Sequence, residues 1–214
     1  GTIIIEGETK FTMDGKAKSN GTISVKKLDS SNNIIFGGQA EAGTVEINMA
    51  QEKAGICVEG SAKIAKLNGD RNSIMLTMKN NAEIGKVENL SFKNPQLSDN
   101  AKLGSEGSTF TIIIPNIEED TEHKDFTIQD HVQLYGKVTI VLADPEKKFV
   151  LGGNASITGA VTVSNGRNAK MIMKDESAIH GDVTCVDGNI SFEIQDNAKI
   201  NGKISSDSTS GNVG

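Results

Sequence analysis

An eight-residue unit returns along this chain at a nearly fixed interval, and that periodicity restricts the fold more than any other feature. It reads Asn154-Ala-Ser-Ile-Thr-Gly-Ala-Val161. It returns as Asn197-Ala-Lys-Ile-Asn-Gly-Lys-Ile204, as His131-Val-Gln-Leu-Tyr-Gly-Lys-Val138 and, one residue shorter, as Asn81-Ala-Glu-Ile-Gly-Lys-Val87. The apolar fourth place acts as an anchor and falls at Ser19, Ala42, Ile64, Ile84, Leu103, Leu134, Ile157, Ile179 and Ile200. Successive anchors are 23, 22, 20, 19, 31, 23, 22 and 21 residues apart. Such self-similarity marks a solenoid, in which a repeat buries its apolar side only against its neighbours.

Between the units lie apolar runs such as Phe11-Thr-Met13, Ile34-Ile-Phe36, Ile56-Cys-Val58, Ile74 to Met78, Leu90-Ser-Phe92, Phe110-Thr-Ile112, Phe149-Val-Leu151 and Met171-Ile-Met173. They alternate over three to five places and are rich in β-branched and aromatic residues, which is strand chemistry. No stretch keeps helical spacing for three turns. Each period therefore holds two strong strands, with room for a short third. Equivalent side chains need equivalent surroundings in every period, and a parallel β-helix supplies them. The period exceeds that of a hexapeptide coil, which favours the right-handed form. The expected fold is an all-β, single-stranded right-handed parallel β-helix of about eight to nine coils of 19–23 residues, roughly 40 Å long.

Three further columns agree with this stacking. Gly38, Gly60, Asn80, Asp99, Asp130, Gly153 and Asp196 stand two places before the inward Ala, where a tight bend with positive φ is expected. A Gly follows most anchors and marks a second bend or a close approach. The residue before the anchor reads Lys18, Glu41, Lys63, Glu83 and Lys102 on five successive coils. Stacked in register, these form an ionic ladder that penalises slippage by one coil.

The helix is expected over residues 1–204, with a loop insertion at 115–125 inside the 31-residue interval and a polar tail or linker at 205–214. The 36% hydrophobic content and 4% aromatic content suit a narrow solenoid. A net charge of −6 argues against nucleic acid or an anionic membrane as partner. No run approaches the roughly 20 apolar residues of a membrane span. The chain opens with Gly rather than Met, so a trimmed start is expected. Cys57 and Cys185 lie six anchor intervals apart, roughly 29 Å at one strand spacing per coil, and are read as unpaired buried hydrophobes.

Candidate chemistry is sparse. Tyr135, Thr158, His180 and Asn201 share the place after the anchor on four successive coils, a polar, partly aromatic strip that could meet a sugar. The loop residues Glu118, Glu119, Asp120, Glu122 and Asp125 could hold a cation, but they lack the spacing of a calcium loop. Asp99 with Asp130, and Asp175 with Asp196, could form carboxylate pairs of a glycan-cleaving enzyme, although turn formation accounts for the same residues. His123, His131 and His180 have no partner at metal-ligand spacing. No metal and no cofactor is expected.

The Asn-Ala-x-Ile-x-Gly-x-Val unit, over about residues 14–204, resembles the coils of right-handed parallel β-helix proteins of the pectate-lyase-like superfamily, including bacterial secreted and surface β-helix domains. For the polysaccharide lyases of that group the resemblance implies a Ca²⁺-binding acidic cluster, a basic Arg or Lys at a cleft, and long loops. Here there is one loop, and Arg71 and Arg167 neighbour no acidic cluster in the repeat map. A second resemblance, to bactofilins, implies a self-polymerising scaffold, though their coils are shorter and more uniform. The function expected from these features is a non-catalytic module, secreted or at the cell surface, serving as a stalk, an adhesin or a glycan-binding surface. Its expected partner is a polysaccharide or another surface protein. A polysaccharide-degrading enzyme and a scaffold associating end to end are the alternatives.

Overall fold

The chain forms a parallel β-solenoid of about eight turns, seen in a computed structural model that describes residues 1–6, 10–28, 33–51, 54–115, 125–143, 148–164, 169–186 and 190–207. All described regular structure is strand, and every pairing between strands is parallel. Among the described residues no helix is long and apolar enough to cross a membrane. Loop residues 116–124, with Glu118, Glu119, Asp120, Glu122 and His123, lie outside the described residues, as do Arg167 and the tail from 208 on.

The anchors build the first face. Ser19, Ala42, Ile64, Ile84, Leu103, Leu134, Ile157, Ile179 and Ile200 pair in one unbroken column. The first two, polar or small, hold the same register as the isoleucines. One place earlier, Lys18, Glu41, Lys63, Glu83 and Lys102 are cross-strand neighbours. Two ion pairs form along them, Lys18–Glu41 at 2.9 Å and Lys63–Glu83 at 3.1 Å. Both are exposed and contribute about 0–1 kcal/mol each. Their effect is on register.

The inward Ala explains the corner before that face. Ala40, Ala62, Ala82, Ala101 and Ala155 are fully buried where the chain turns inside the coil, and Val132 fills the same place in its own coil. The turn closes with a bond three residues back, as from Ala40 N–H to the Gly37 carbonyl at 3.0 Å. Gly38, Asn80, Asp99, Asp130, Gly153, Asp175 and Asp196 all have φ between 52° and 61°, except Asp130 at 63°. The bend expected from residue type is the bend observed.

The second face carries 22–25, 44–47, 66–69 and 86–88 in the lower coils, and 109–114, 137–142, 161–164, 183–186 and 204–207 in the upper ones. The last strand, Ile204–Asp207, thus runs three residues past the boundary expected from the repeat. The third face is two separate ladders. One stacks 11–13, 34–36, 55–58, 75–78 and 96–97; the other stacks 126–128, 148–151, 169–173 and 190–194. Inward residues from all three faces make one continuous core, in which Phe36, Phe92, Phe110 and Phe149 are fully buried. Phe92 and Phe110 meet edge to face at 5.8 Å, a geometry that adds about 0.5–1.5 kcal/mol to area burial.

Three placements differ from the sequence reading. Leu90–Phe92 and Phe110–Ile112 look like the other interleaved runs, yet they pair on the second face, not the third. The cause is backbone direction: left-handed Asn89 (φ 54°) stands immediately before the first run and the turn at 104–108 before the second, and the pairing slips between Asn68 and Asn72. Cys185 is buried, but Cys57 is only half-buried. Alternation sends Ile56 and Val58 inward and leaves the Cys57 thiol facing out. Finally, the 31-residue interval is long in two places, since a turn at 104–108 precedes the second-face strand in addition to the insertion after Ile114.

Stacking also explains the Gly after the anchor. A Cβ on Gly159 (φ +130°) would lie 2.1 Å from the Gly136 carbonyl oxygen one coil below. Gly159→Ala is expected to destabilise the fold by about 1–3 kcal/mol, the range of overpacking, and a lowered thermal midpoint by circular dichroism checks it.

Candidate functional site

Because a glycine or alanine one or two places after most anchors lies against the backbone of a neighbouring coil, the edge between the first and second faces is floored by small residues. Gly43, Ala65 and Gly85 floor it in the lower coils, with Glu41, Lys63 and Glu83 along one side of a shallow depression of about 370 Å³. Gly136 and Gly159 floor it higher up, in a wider depression of about 730 Å³. The edge thus carries two separate shallow depressions, a lower and an upper trough.

The upper depression gathers the most varied chemistry. Tyr135 and Thr158 come from the first face, Lys137 and Thr109 from the second, and Glu106 from the turn at 104–108. Tyr135 is half-buried, and its hydroxyl donates to Gln133 Oε1 at 2.9 Å, which steadies the ring. The turn that carries Glu106 is fastened from beneath. Fully buried Ser108 accepts through Oγ from the N–H of Ser105 (2.9 Å) and of Val87 (3.0 Å). The hydroxyl stands in for a missing strand neighbour of Val87. A flat aromatic, hydroxyls, a carboxylate and an ammonium around exposed backbone suit a hydroxyl-rich ligand.

The predicted strip is a real column, since Tyr135, Thr158 and His180 pair in register and Asn201 Nδ2 lies 3.0 Å from His180 Nδ1. Only Tyr135 and Thr158 border the depression; His180 and Asn201 continue the rim as an exposed pair. Asp125 stands apart on the third face. Its Oδ1 accepts from Lys148 N–H at 3.2 Å, and its Oδ2 pairs with Lys148 Nζ at 3.6 Å. Lys137, Glu106 and Thr109 were not singled out from the sequence. Lys137 sits at a variable place of the unit, and the other two belong to a turn that the repeat does not predict.

The corner carboxylates are already engaged. Asp99 Oδ2 accepts from the Asn80 N–H (2.8 Å), Asp130 Oδ2 from the Asp99 N–H (3.1 Å), Asp175 Oδ2 from the Gly153 N–H (2.8 Å) and Asp196 Oδ2 from the Asp175 N–H (3.2 Å). Each caps the bend one coil earlier. The neighbouring column is an amide ladder, with Asn100 Nδ2 donating to Asn81 Oδ1 at 3.1 Å and Asn197 Nδ2 to Glu176 Oε1 at 2.6 Å. Among the described residues no group of three or more His, Cys, Asp or Glu could hold a metal ion.

Comparison with protein families, with curated proteins and with solved structures finds no match, so function rests on the geometry.

One charged group on the second face is strongly perturbed. Glu88 accepts from Lys66 Nζ at 2.7 Å and from Lys86 Nζ at 2.5 Å, and these two bonds hold its carboxyl at about 2 against an ordinary 4.5. A depressed folded-state value means that the stabilisation is complete above pH 4.5 and is lost as the pH falls towards 2. Stability of Glu88→Gln should therefore decline less steeply than wild type across that window. Urea midpoints measured at several pH values check this, and parallel declines would contradict it.

Proposed function

We propose that the chain is a non-catalytic β-helix module that binds a linear glycan in the upper trough between its first and second faces. The observation that carries the reading is the depression of about 730 Å³ in which Tyr135, Thr109, Thr158, Glu106 and Lys137 surround bare Gly136 and Gly159 backbone. A trough parallel to the coil axis suits an extended chain, and a glycine floor lets sugar hydroxyls reach main-chain groups. The corner aspartates, engaged as caps, add no free acid–base pair. The resemblance of the repeat to bacterial secreted and surface β-helix domains of the pectate-lyase-like superfamily is consistent with this role, and the proposal extends to a location outside the cell or on its surface. Adhesion to a glycan-bearing surface follows from the same contacts.

The test is a glycan array read for retained sugar and for reducing-end or unsaturated product, with and without Ca²⁺. Retention without product is expected. Tyr135→Ala should weaken the retained ligand about tenfold or more, as for loss of a central aromatic anchor. Product formation would replace the proposal with an enzyme, and unchanged affinity in Tyr135→Ala would move the ligand off this trough.

A further inference from the structure

The ladders that bind one coil to the next are not equally strong along the solenoid. Across a typical upper boundary, 133–151 against 156–173, three positions pair on the first face, four on the second and four on the third. In the lower coils, 41–58 pairs with 63–78 through six positions on the first and second faces and four on the third. Between the coil at 83–97 and the coil at 102–128, two positions pair on the first face and four on the second. On the third face one ladder ends at Gln96–Leu97 and the next begins at Phe126, with no pairing between them among the described residues. The lower second-face run ends at the same boundary, since above Lys86–Glu88 stands the turn at 104–108 and only the Ser108 hydroxyl answers Val87. A cavity of about 440 Å³ opens there among Met78, Leu97, Ile114 and Phe126, four side chains that are otherwise nearly fully buried.

Two discontinuities at one boundary need a common reason. The left-handed residues Asn89 and Asn94 (φ 54° and 40°) lie in the coil just below it, where the cross-section changes from the lower path to the upper one. Strands can stack only where successive coils follow the same path, so the ladders break where the path changes. The second-face pairing of 90–93 with 110–113 and the Phe92–Phe110 contact persist because both paths share that segment.

A solenoid's stability is close to a sum of coil terms and nearest-neighbour interface terms, so a weak interface separates cooperative units. We infer that the solenoid opens as two blocks, a lower one of residues 2–97 and an upper one of residues 102–207, with the 83–97 to 102–128 boundary as its joint. The joint lets one block open while the other keeps its fold.

Native-state hydrogen exchange on the full chain, followed by mass spectrometry in low urea, tests the inference. Ile140→Val removes one carbon from the upper core and Val58→Ala removes two from the lower core; both residues are fully buried. Ile140→Val should speed exchange about fivefold in peptides covering 137–142, 161–164 and 169–173, and leave those covering 22–25, 44–47 and 55–58 unchanged. Val58→Ala should show the reverse pattern. Equal acceleration in both blocks by either variant overturns the joint, because it means one cooperative unit. No acceleration within the mutated block overturns it too, because the block then does not open as a unit.

Discussion

The stacking of each coil on the next, in register, is the constraint from which the other features follow. At about 4.8 Å per strand, every side chain has the equivalent residue of the adjoining coil as its nearest neighbour. A position is acceptable only if the whole column is. That is why a small apolar residue, Ala or Val, recurs at the inner corner from Ala40 to Ala155, and why Ser19 and Ala42 keep the anchor register without being good anchors themselves. A slip of one residue along a strand would send the buried set outward. A slip of a whole coil would bring Lys63 against lysines and Glu83 against glutamates.

The same rule governs polar groups, and it complicates any reading of function. Stacking turns a residue preferred at a bend into a column of that residue, whatever the protein does. The corner aspartates show this: the type that tolerates positive φ also places a carboxylate within reach of the N–H one coil below, so Asp175 makes its own turn and caps Gly153. Columns of carboxylates or amides are thus products of the architecture. Chemistry aimed at a ligand is better sought where columns are broken, and the upper depression is such a place. There a turn found in a single coil, held by the Ser108 hydroxyl, brings Glu106 to the same depression as Tyr135 and Lys137.

Much of the fold was legible because apolar periodicity and turn chemistry are local signals that repeat. The nine anchors, the positive-φ corner and the charge alternation of Lys18 to Lys102 all lie in the structure where the spacing puts them. The candidate site was legible only in part. Tyr135 and Thr158 stood out as members of a column, whereas Glu106 and Thr109 did not, because their turn occurs once and has no copies to reveal it. Leu90–Phe92 and Phe110–Ile112 carry the same alternation as the third-face runs. Alternation tells inside from outside, but not which face a strand joins.

From the sequence alone come the strand content, the period, the parallel stacking and the identity of the inward residues, since each depends on what a residue prefers beside its own copies. The tertiary structure alone decided the path of the chain between those residues. Left-handed Asn89 stands immediately before Leu90–Phe92 and the turn at 104–108 before Phe110–Ile112, third-face pairing among the described residues stops at Leu97 and resumes at Phe126, and residues far apart in sequence converge around Gly136. The reason is that a direction of the backbone is set by the closure of a whole coil upon its neighbours. No local preference encodes it.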